Sequence, residues 1–418
     1  MKQYDSYKDS GVQWIGKIPS HWEICRFKDL TNLQTLASMS DTKIGLENIE
    51  GKTGKFIETD SEFEGNGIAF EQGDIVYGKL RPYLQKVWLA TFSGNAVGDF
   101  FVFRTKCNCH NRYLFYVMLS DGFTSMCNGA TFGAKMPRVS SDFIRSLHFF
   151  IPPFAEQQAI ATYLDKKCDK IDMAIATQQK RIDMLGELRQ NIITHAVTRG
   201  INPDAALKDS GVEWIGEVPE HWEVMKLKRC ALIKTGCTPP TKEEKYYESD
   251  DIDWFTPSDI GSDCIYEAEK KISVIAKRDG VCRLFPAKSV YFVGIGATIG
   301  KVSVCDNEAS ANQQINVIIP NKRANYKYLA YCLKSQKGEV YLTANTVTLP
   351  IINQERTGSL MIPVPPLEEQ QQIVEHIEEQ TARIDKSIAK AERQIELLQE
   401  LKQSIITEVV TGKRKVFA

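Results

Sequence analysis

The chain has 418 residues, of which 43% are hydrophobic, 25% charged and 10% aromatic, a composition that suits two or three packed domains and excludes disordered, collagen-like and membrane-spanning classes. Its 52 basic and 53 acidic residues leave a net charge of −1, so no uniform basic coat can hold a nucleic acid, and an anionic partner has to meet a local patch. The 11 cysteines form no C-x-x-C pair, which argues against a zinc ribbon or a disulfide framework, and the polar start MKQYDSYKDS lacks the apolar run of a signal peptide. A cytoplasmic chain with reduced thiols is expected.

In chain order, the first element is YKDSGVQWIGKIPSHWEICRFK (7–28), which returns as LKDSGVEWIGEVPEHWEVMKLK (207–228) with 13 of 22 positions identical. A first insert follows, closing a domain that spans 1–150. Its runs GIAFEQGDIVYGKL, YLQKVWLATF and GDFFVFRT predict strands, and 111–121 predicts a short helix. Residues 151–200 predict a long helix. Pro-Pro opens it, Glu156 lies near the positive end of its dipole, and Gly200 stops it.

The second domain, 201–363, begins with the repeated motif and carries strand-like SVYFVGIG, KVSVCD and QQINVIIP, with a short helix at 325–336. The final segment, 364–418, repeats the long helix, matching 151–200 at 20 of 50 positions and stopping at Gly412. Alternating steps of four and three mark a stripe in each long helix: Leu164, Ile171, Ile175, Ile182, Leu185 and Ile192 in the first, and Ile377, Ile384, Ile388, Ile395, Leu398 and Ile405 in the second. Packing of each helix on a globular core is the competing reading. The charged remainder of both helices favours a narrow helix–helix seam, and an antiparallel pair would give approximate twofold symmetry with one insert at either end. The expected class is α+β: two globular mixed α/β domains separated by two long antiparallel coiled-coil helices.

Each insert is acidic in its first part and basic in its second. The basic parts interleave Lys79, Arg81, Tyr83, Lys86, Arg104, Arg112, Lys135 and Arg138 in one, and Lys277, Arg278, Arg283, Lys301, Asn312, Gln313, Gln314, Asn345 and Thr346 in the other. Basic side chains suit phosphates and guanine edges, and amides suit adenine, so these groups are candidate duplex-DNA contacts; any one of them could equally be a solvated surface charge. Tyr77, Trp88, Phe101, Trp254, Phe255 and Tyr291 alternate with apolar neighbours and are expected in the core.

Catalytic patterns fail on inspection. GIGATIGKV (294–302) misplaces the first glycine of a P-loop and has Val302 where a magnesium-binding hydroxyl belongs, so it reads as a glycine hairpin between strands. IPPF (151–154) is similar to the Pro-Pro tetrapeptide of amino-methyltransferases, yet Ile151 cannot accept a hydrogen bond from a target amino group. Cys107-x-Cys109-His110 has poor zinc spacing, the six histidines form no triad-like group, and no catalytic or metal-ligating residue is expected on this chain.

The doubled KDSG-x-W-I-G-x-x-P-x-H-W, the doubled PP-x-x-EQQ ahead of a long helix and the I-I-T-x-x-V-T tail resemble the specificity subunit of type I restriction-modification systems, over the whole chain. That resemblance implies that the two inserts are target-recognition domains reading an asymmetric two-part DNA site, that the long helices are spacers, and that the chain is itself non-catalytic. It further implies two modification subunits that bind S-adenosylmethionine and methylate adenine, and two restriction subunits that use ATP and Mg. The alternative is a coiled-coil scaffold presenting two protein-binding domains.

Overall fold

A computed structural model describes residues 3–12, 15–38, 40–336, 338–340 and 350–416. The chain divides into two compact units, one formed by Met1–Lys180 with Ala391–Ala418 and the other by Arg181–Lys390. The boundaries fall inside the two long helices, Phe154–Arg199 and Leu367–Val410, so each unit holds the first part of one helix and the last part of the other.

In the first unit the insert is built on an antiparallel sheet whose strands lie in the order Thr31–Gln34, Phe100–Thr105, Ile75–Gly78 and Val87–Leu89. A second sheet orders Ala37–Ser38, Gly67–Phe70, Gly94–Ala96 and Lys43–Ile44. The segment predicted as one helix at 111–121 holds the helix Asn111–Met118, and a second helix, Asp121–Gly129, follows it, capped by Ser120, which accepts from the Phe123 amide. The chain returns through His148–Ile151, which pairs antiparallel with Glu23–Arg26 of the repeated motif.

The second unit has the same plan. A five-stranded sheet orders Ala231–Thr235, Ile315–Pro320, Ser289–Val293, Val302–Cys305 and Cys264–Ile265. The helix Tyr326–Ser335 covers it, and Met361–Val364 pairs with Glu223–Lys226 as its counterpart does in the first unit. The glycine run 294–301 joins antiparallel strands, with Phe292 opposite Val302, so it is a hairpin as its sequence predicts.

Of the aromatics expected in the core, Tyr77, Trp88, Trp254, Phe255 and Tyr291 are buried. Phe101 is half-buried, with Lys79 Nζ 5.4 Å from its ring centroid. The stripe residues of both long helices are buried or half-buried throughout, none exposed. Leu164 and Ile171 enter the core of the first unit together with Ile405, and Ile377 enters that of the second with Ile193 and Val197.

Within each unit the two helix segments run antiparallel, and the repeated motif shows why. In the first unit, Trp22 donates from Nε1 to Glu156 Oε1 at 2.9 Å, at the start of one helix, while its ring lies 3.2 Å from where a Cβ on Gly412 would sit, at the end of the other. Farther along, Lys402 meets Asp172 at 2.8 Å. In the second unit Trp222 bonds Glu369 at 3.0 Å and packs on Gly200, and Arg189 meets Asp385 at 3.0 Å. Gly200 and Gly412 both hold positive φ, 75° and 71°, and a side chain at Gly412 would collide with Pro19, so glycine serves there both to turn the chain and to admit the tryptophan.

Candidate nucleic-acid interface

Each insert is mounted through a set of contacts that the repeat duplicates. Glu156 accepts from Trp22 Nε1 and from the Tyr4 hydroxyl at 2.7 Å, with His21 Nε2 at 2.8 Å from its other oxygen; Glu369 meets Trp222 and His221 at 3.0 and 2.8 Å. The adjacent glutamine turns the other way. Gln157 accepts from the His110 amide at 2.7 Å and donates to Asn108 O, while Gln370 accepts from the Asn325 amide at 2.8 Å and donates to Arg323 O. The doubled P-P-x-x-E-Q is therefore a two-way clamp: its glutamate holds the motif and its glutamine holds the insert. About two helical turns beyond, Arg112 meets Asp165 at 2.6 Å and Lys327 meets Glu378 at 2.6 Å. Arg112 thus ties its insert to the helix.

On each insert, a loop between two sheet strands is also duplicated in backbone detail. The Gly78 amide donates to Lys86 O at 2.8 Å, and the Val293 amide to Lys301 O at 2.9 Å. Arg81 and Gly296 each donate an amide proton to a proline carbonyl, Pro137 O at 2.7 Å and Pro350 O at 3.1 Å; Val139 and Ile352 return one to Lys79 O and Gly294 O. Two residues in each loop are left-handed: Arg81 (φ 49°) and Gln85 (φ 50°) in the first, Gly296 (φ 103°) and Gly300 (φ 84°) in the second. The second loop has glycine at both, where the conformation costs little. The first has none, and an arginine held there stores roughly 1–2 kcal/mol of backbone strain.

Around the first loop Arg81, Tyr83, Lys135, Phe132 and Met136 are exposed, a mixed basic and apolar surface carried by two segments bonded to each other. Arg138 sits at its edge, donating from Nε and Nη2 to both oxygens of Asp99 at 3.0 and 2.7 Å. That guanidinium, with Lys79 at 3.7 Å, holds the Asp99 carboxyl below the usual aspartate value. Two other basic residues expected as DNA contacts are half-buried and tied to groups of their own insert. Lys86 Nζ donates to Leu46 O and Ile49 O at 2.6 and 2.9 Å, and burial lowers its pKa. Arg104 forms a fork with Asp74 at 2.8 and 2.9 Å.

In the second unit Gly294 donates its amide to Gln314 O at 2.8 Å, which brings the loop against Asn312, Gln313 and Gln314. Gln313 is exposed and accepts from the Thr238 hydroxyl; Asn312 is buried and donates to Gln314 Oε1. Lys301 is exposed at the foot of the loop. Lys277 and Arg278 lie apart from these on the short helix Val274–Arg278, exposed, and Arg283 donates to Thr235 O. Asn345 and Thr346 fall outside the described residues. Sequence reasoning did not select Phe132, Met136 or the Glu–His–Trp latches; the doubling of H-W and of P-P-x-x-E was the available signal for the latches.

Among the described residues no group of three or more His, Cys, Asp or Glu is placed to hold a metal ion, and no helix is long and apolar enough to cross a membrane.

A family model described as the type I restriction modification DNA specificity domain matches residues 19–183 and 219–397. The chain is 24% identical over 432 residues to the type I restriction enzyme MjaVIII specificity subunit of Methanocaldococcus jannaschii, covering 96% of this chain and 94% of that one. With the MjaIX specificity subunit of the same organism it shares 33% identity over 164 residues, spanning 38% of each. Among solved structures, a chain from a study of complex assembly and conformational transition of the type I R-M system aligns with a TM-score of 0.72 at 18% identity, covering 94% of this chain and 98% of its own. The HsdS subunit of Thermoanaerobacter tengcongensis aligns with a TM-score of 0.50, also at 18% identity, over 95% of this chain and 98% of that one.

Proposed function

The chain belongs to the type I restriction-modification DNA specificity family, and from that membership we infer that each recognition domain reads one half of a two-part, asymmetric duplex target through the face that carries its duplicated loop. The observation behind this reading is the loop pair itself. Two domains keep the same backbone hydrogen bonds and present different side chains, Arg81-Pro-Tyr in one and Gly296-Ala-Thr in the other, as two readers of unlike sequences require. Phosphate contacts set the register and a few base contacts discriminate, each mismatched pair costing ~1–3 kcal/mol. Among the described residues of the first face, Arg81 and Lys135 are exposed cations outside any ion pair; Arg138, Lys79 and Tyr83 border it. In the second, Gln313, Gln314 and Lys301 play that part, with Lys277 and Arg278 as outlying phosphate contacts.

The chain supplies recognition, and the chemistry is assigned to partners: two modification subunits that bind S-adenosylmethionine and extrude the target adenine, and two restriction subunits that use ATP and Mg. Twofold stoichiometry is supported by a second repeat on the long helices. Met184 and Leu188 are exposed on the first helix, and Leu397 and Leu401 are exposed at the equivalent positions of the second, which offers the same apolar patch twice.

The test is the salt dependence of duplex binding by the assembled complex. Replacing Arg81 and Lys135 together by Ala should weaken binding and reduce the slope of log affinity against log salt by up to about two. An unchanged slope removes this face from the interface. Lys86→Ala serves as a contrast: it should disturb the loop and leave the slope as it was.

A further inference from the structure

The apolar seam of the long helices is broken at one repeated position by a basic residue, Arg189 in the first helix and Lys402 in the second. Their carboxylate partners are a repeat pair as well. Lys402 meets Asp172 at 2.8 Å in one unit and Arg189 meets Asp385 at 3.0 Å in the other, and the two aspartates occupy equivalent places in the two helices. Lys402 is 7% exposed and Asp172 16%, so the first pair is largely out of water. Leucine at that position would hold the helices together with no desolvation cost, so cohesion alone does not account for a buried ion pair.

Each pair has a third charged group, and in both units it comes from the insert. Lys55 Nζ lies 2.9 Å from the Asp172 oxygen that Lys402 leaves free. In the second unit the insert contributes the opposite sign: Asp263 accepts from Arg189 Nη2, while Arg189 Nε serves Asp385, and Lys334 adds a further bond to Asp263. The other mounting contacts, at Gln157 and Gln370 and at Asp165 and Glu378, keep the same sense in both units. Among these contacts of the described residues, the one at the Asp–basic pair reverses.

We propose that the repeated Asp–basic pair is a charge-neutral socket on the helices that seats a recognition domain of either sign, the insert engaging whichever member is opposite to its own charged residue. Lys55 takes the acidic member and Asp263 the basic one. Because both members are present at both sockets, an insert moved from one to the other finds its counter-charge without any change in the helices. Lys55 and Asp263 are then positioning residues: they fix how each domain sits on its own helix segments and touch no base.

The inference can be tested apart from DNA reading, by hydrogen exchange in the full chain at the Glu50 and Ile57 amides, which bond to Lys55 O and Asn48 O. Lys55→Gln, which carries no charge for either member, should speed exchange there about fivefold, whereas Lys55→Glu, which can engage Lys402, should keep it within about twofold of the wild type, the helix amides staying protected in both. Combining Lys55→Glu with Lys402→Gln should remove that protection. Native exchange in the Lys55→Gln variant, or exchange in Lys55→Glu as fast as in Lys55→Gln, overturns the socket. Should the Lys402→Gln variant fail to fold, Asp263→Asn and Asp263→Lys ask the same question in the second unit at the Val304 amide, which bonds to Asp263 O: protection lost with Asn and kept with Lys supports the proposal, and any other pattern contradicts it. In DNA binding, Lys55→Gln should lower affinity with no change of salt slope; a lower slope would make Lys55 a phosphate contact and end its assignment as a positioning residue.

Discussion

At the foot of each recognition domain a glutamine accepts the same backbone proton, from His110 in one unit and Asn325 in the other, whereas at the loop above it Arg81 stands where the second unit has Gly296. The mounts are kept and the readers diverge. What the two units teach together is that duplication here preserved the parts that set position and freed the parts that set chemistry, down to one left-handed residue that is cheap in one copy and strained in the other.

The largest way to break that comparison is at the latch. Glu156 is buried and holds a tyrosine, a tryptophan and a histidine, while Glu369 is more open and holds two groups. Glu156→Ala should cost about 3–4 kcal/mol, at ~1–3 kcal/mol for each buried donor left unsatisfied, and Glu369→Ala about half that. Calorimetry of the full chain reads both; equal losses would mean that the two latches are not graded by burial.

Next is the loop. No heavy atom lies within 4 Å of a Cβ built on Gly296, so Gly296→Ala sets backbone strain against the gain from a stiffer unfolded chain and should destabilise by no more than about 1 kcal/mol. Arg81→Gly releases strain and loses unfolded-state restriction, so stability should move by no more than about 0.5 kcal/mol while DNA affinity falls. A thermal shift beside a binding titration separates the two effects.

Smaller in stability, but sharper in assembly, is the apolar patch on the helices. Leu188→Gln or Leu401→Gln should alter unfolding by less than about 0.5 kcal/mol, yet each should cost the complex one modification subunit, and both together two. Light scattering of the reconstituted complex counts them.

The smallest effect concerns acid. Asp99 has a folded pKa below its usual 3.8, so its pairing with Arg138 contributes fully above that value and is lost as pH falls through the lower folded one. Exchange at the Arg81 and Val139 amides should therefore stay native at pH 5 and rise only in stronger acid.

Much of this was legible in the sequence. Periodicity marked the long helices and their buried stripe, since a seam of that length repeats one signal many times. The strands of both inserts stood out by apolar alternation. The latches did not, because Trp22 and Glu156 lie 134 residues apart and a doubled motif says that something is held without saying by what. Arg104 and Arg138 show the limit of charge segregation: both lie in a basic region, and both are committed to an aspartate of their own domain. Arg81 escaped as a loop landmark because left-handed positions are sought at glycine. The socket did leave a trace, as Arg189 and Lys402 interrupted the apolar stripe at the same place in both copies, a coincidence that a search for stripes passes over.

The central claim is that two unlike readers sit independently on one repeated frame. Replacing residues 229–363 by the corresponding insert of another family member, and sequencing the adenine methylation pattern of cells that express the chimera with its modification subunit, tests it most directly. The account predicts a methylated site in which one half changes and the other stays as in the parent. A site altered in both halves, or in neither, would contradict it.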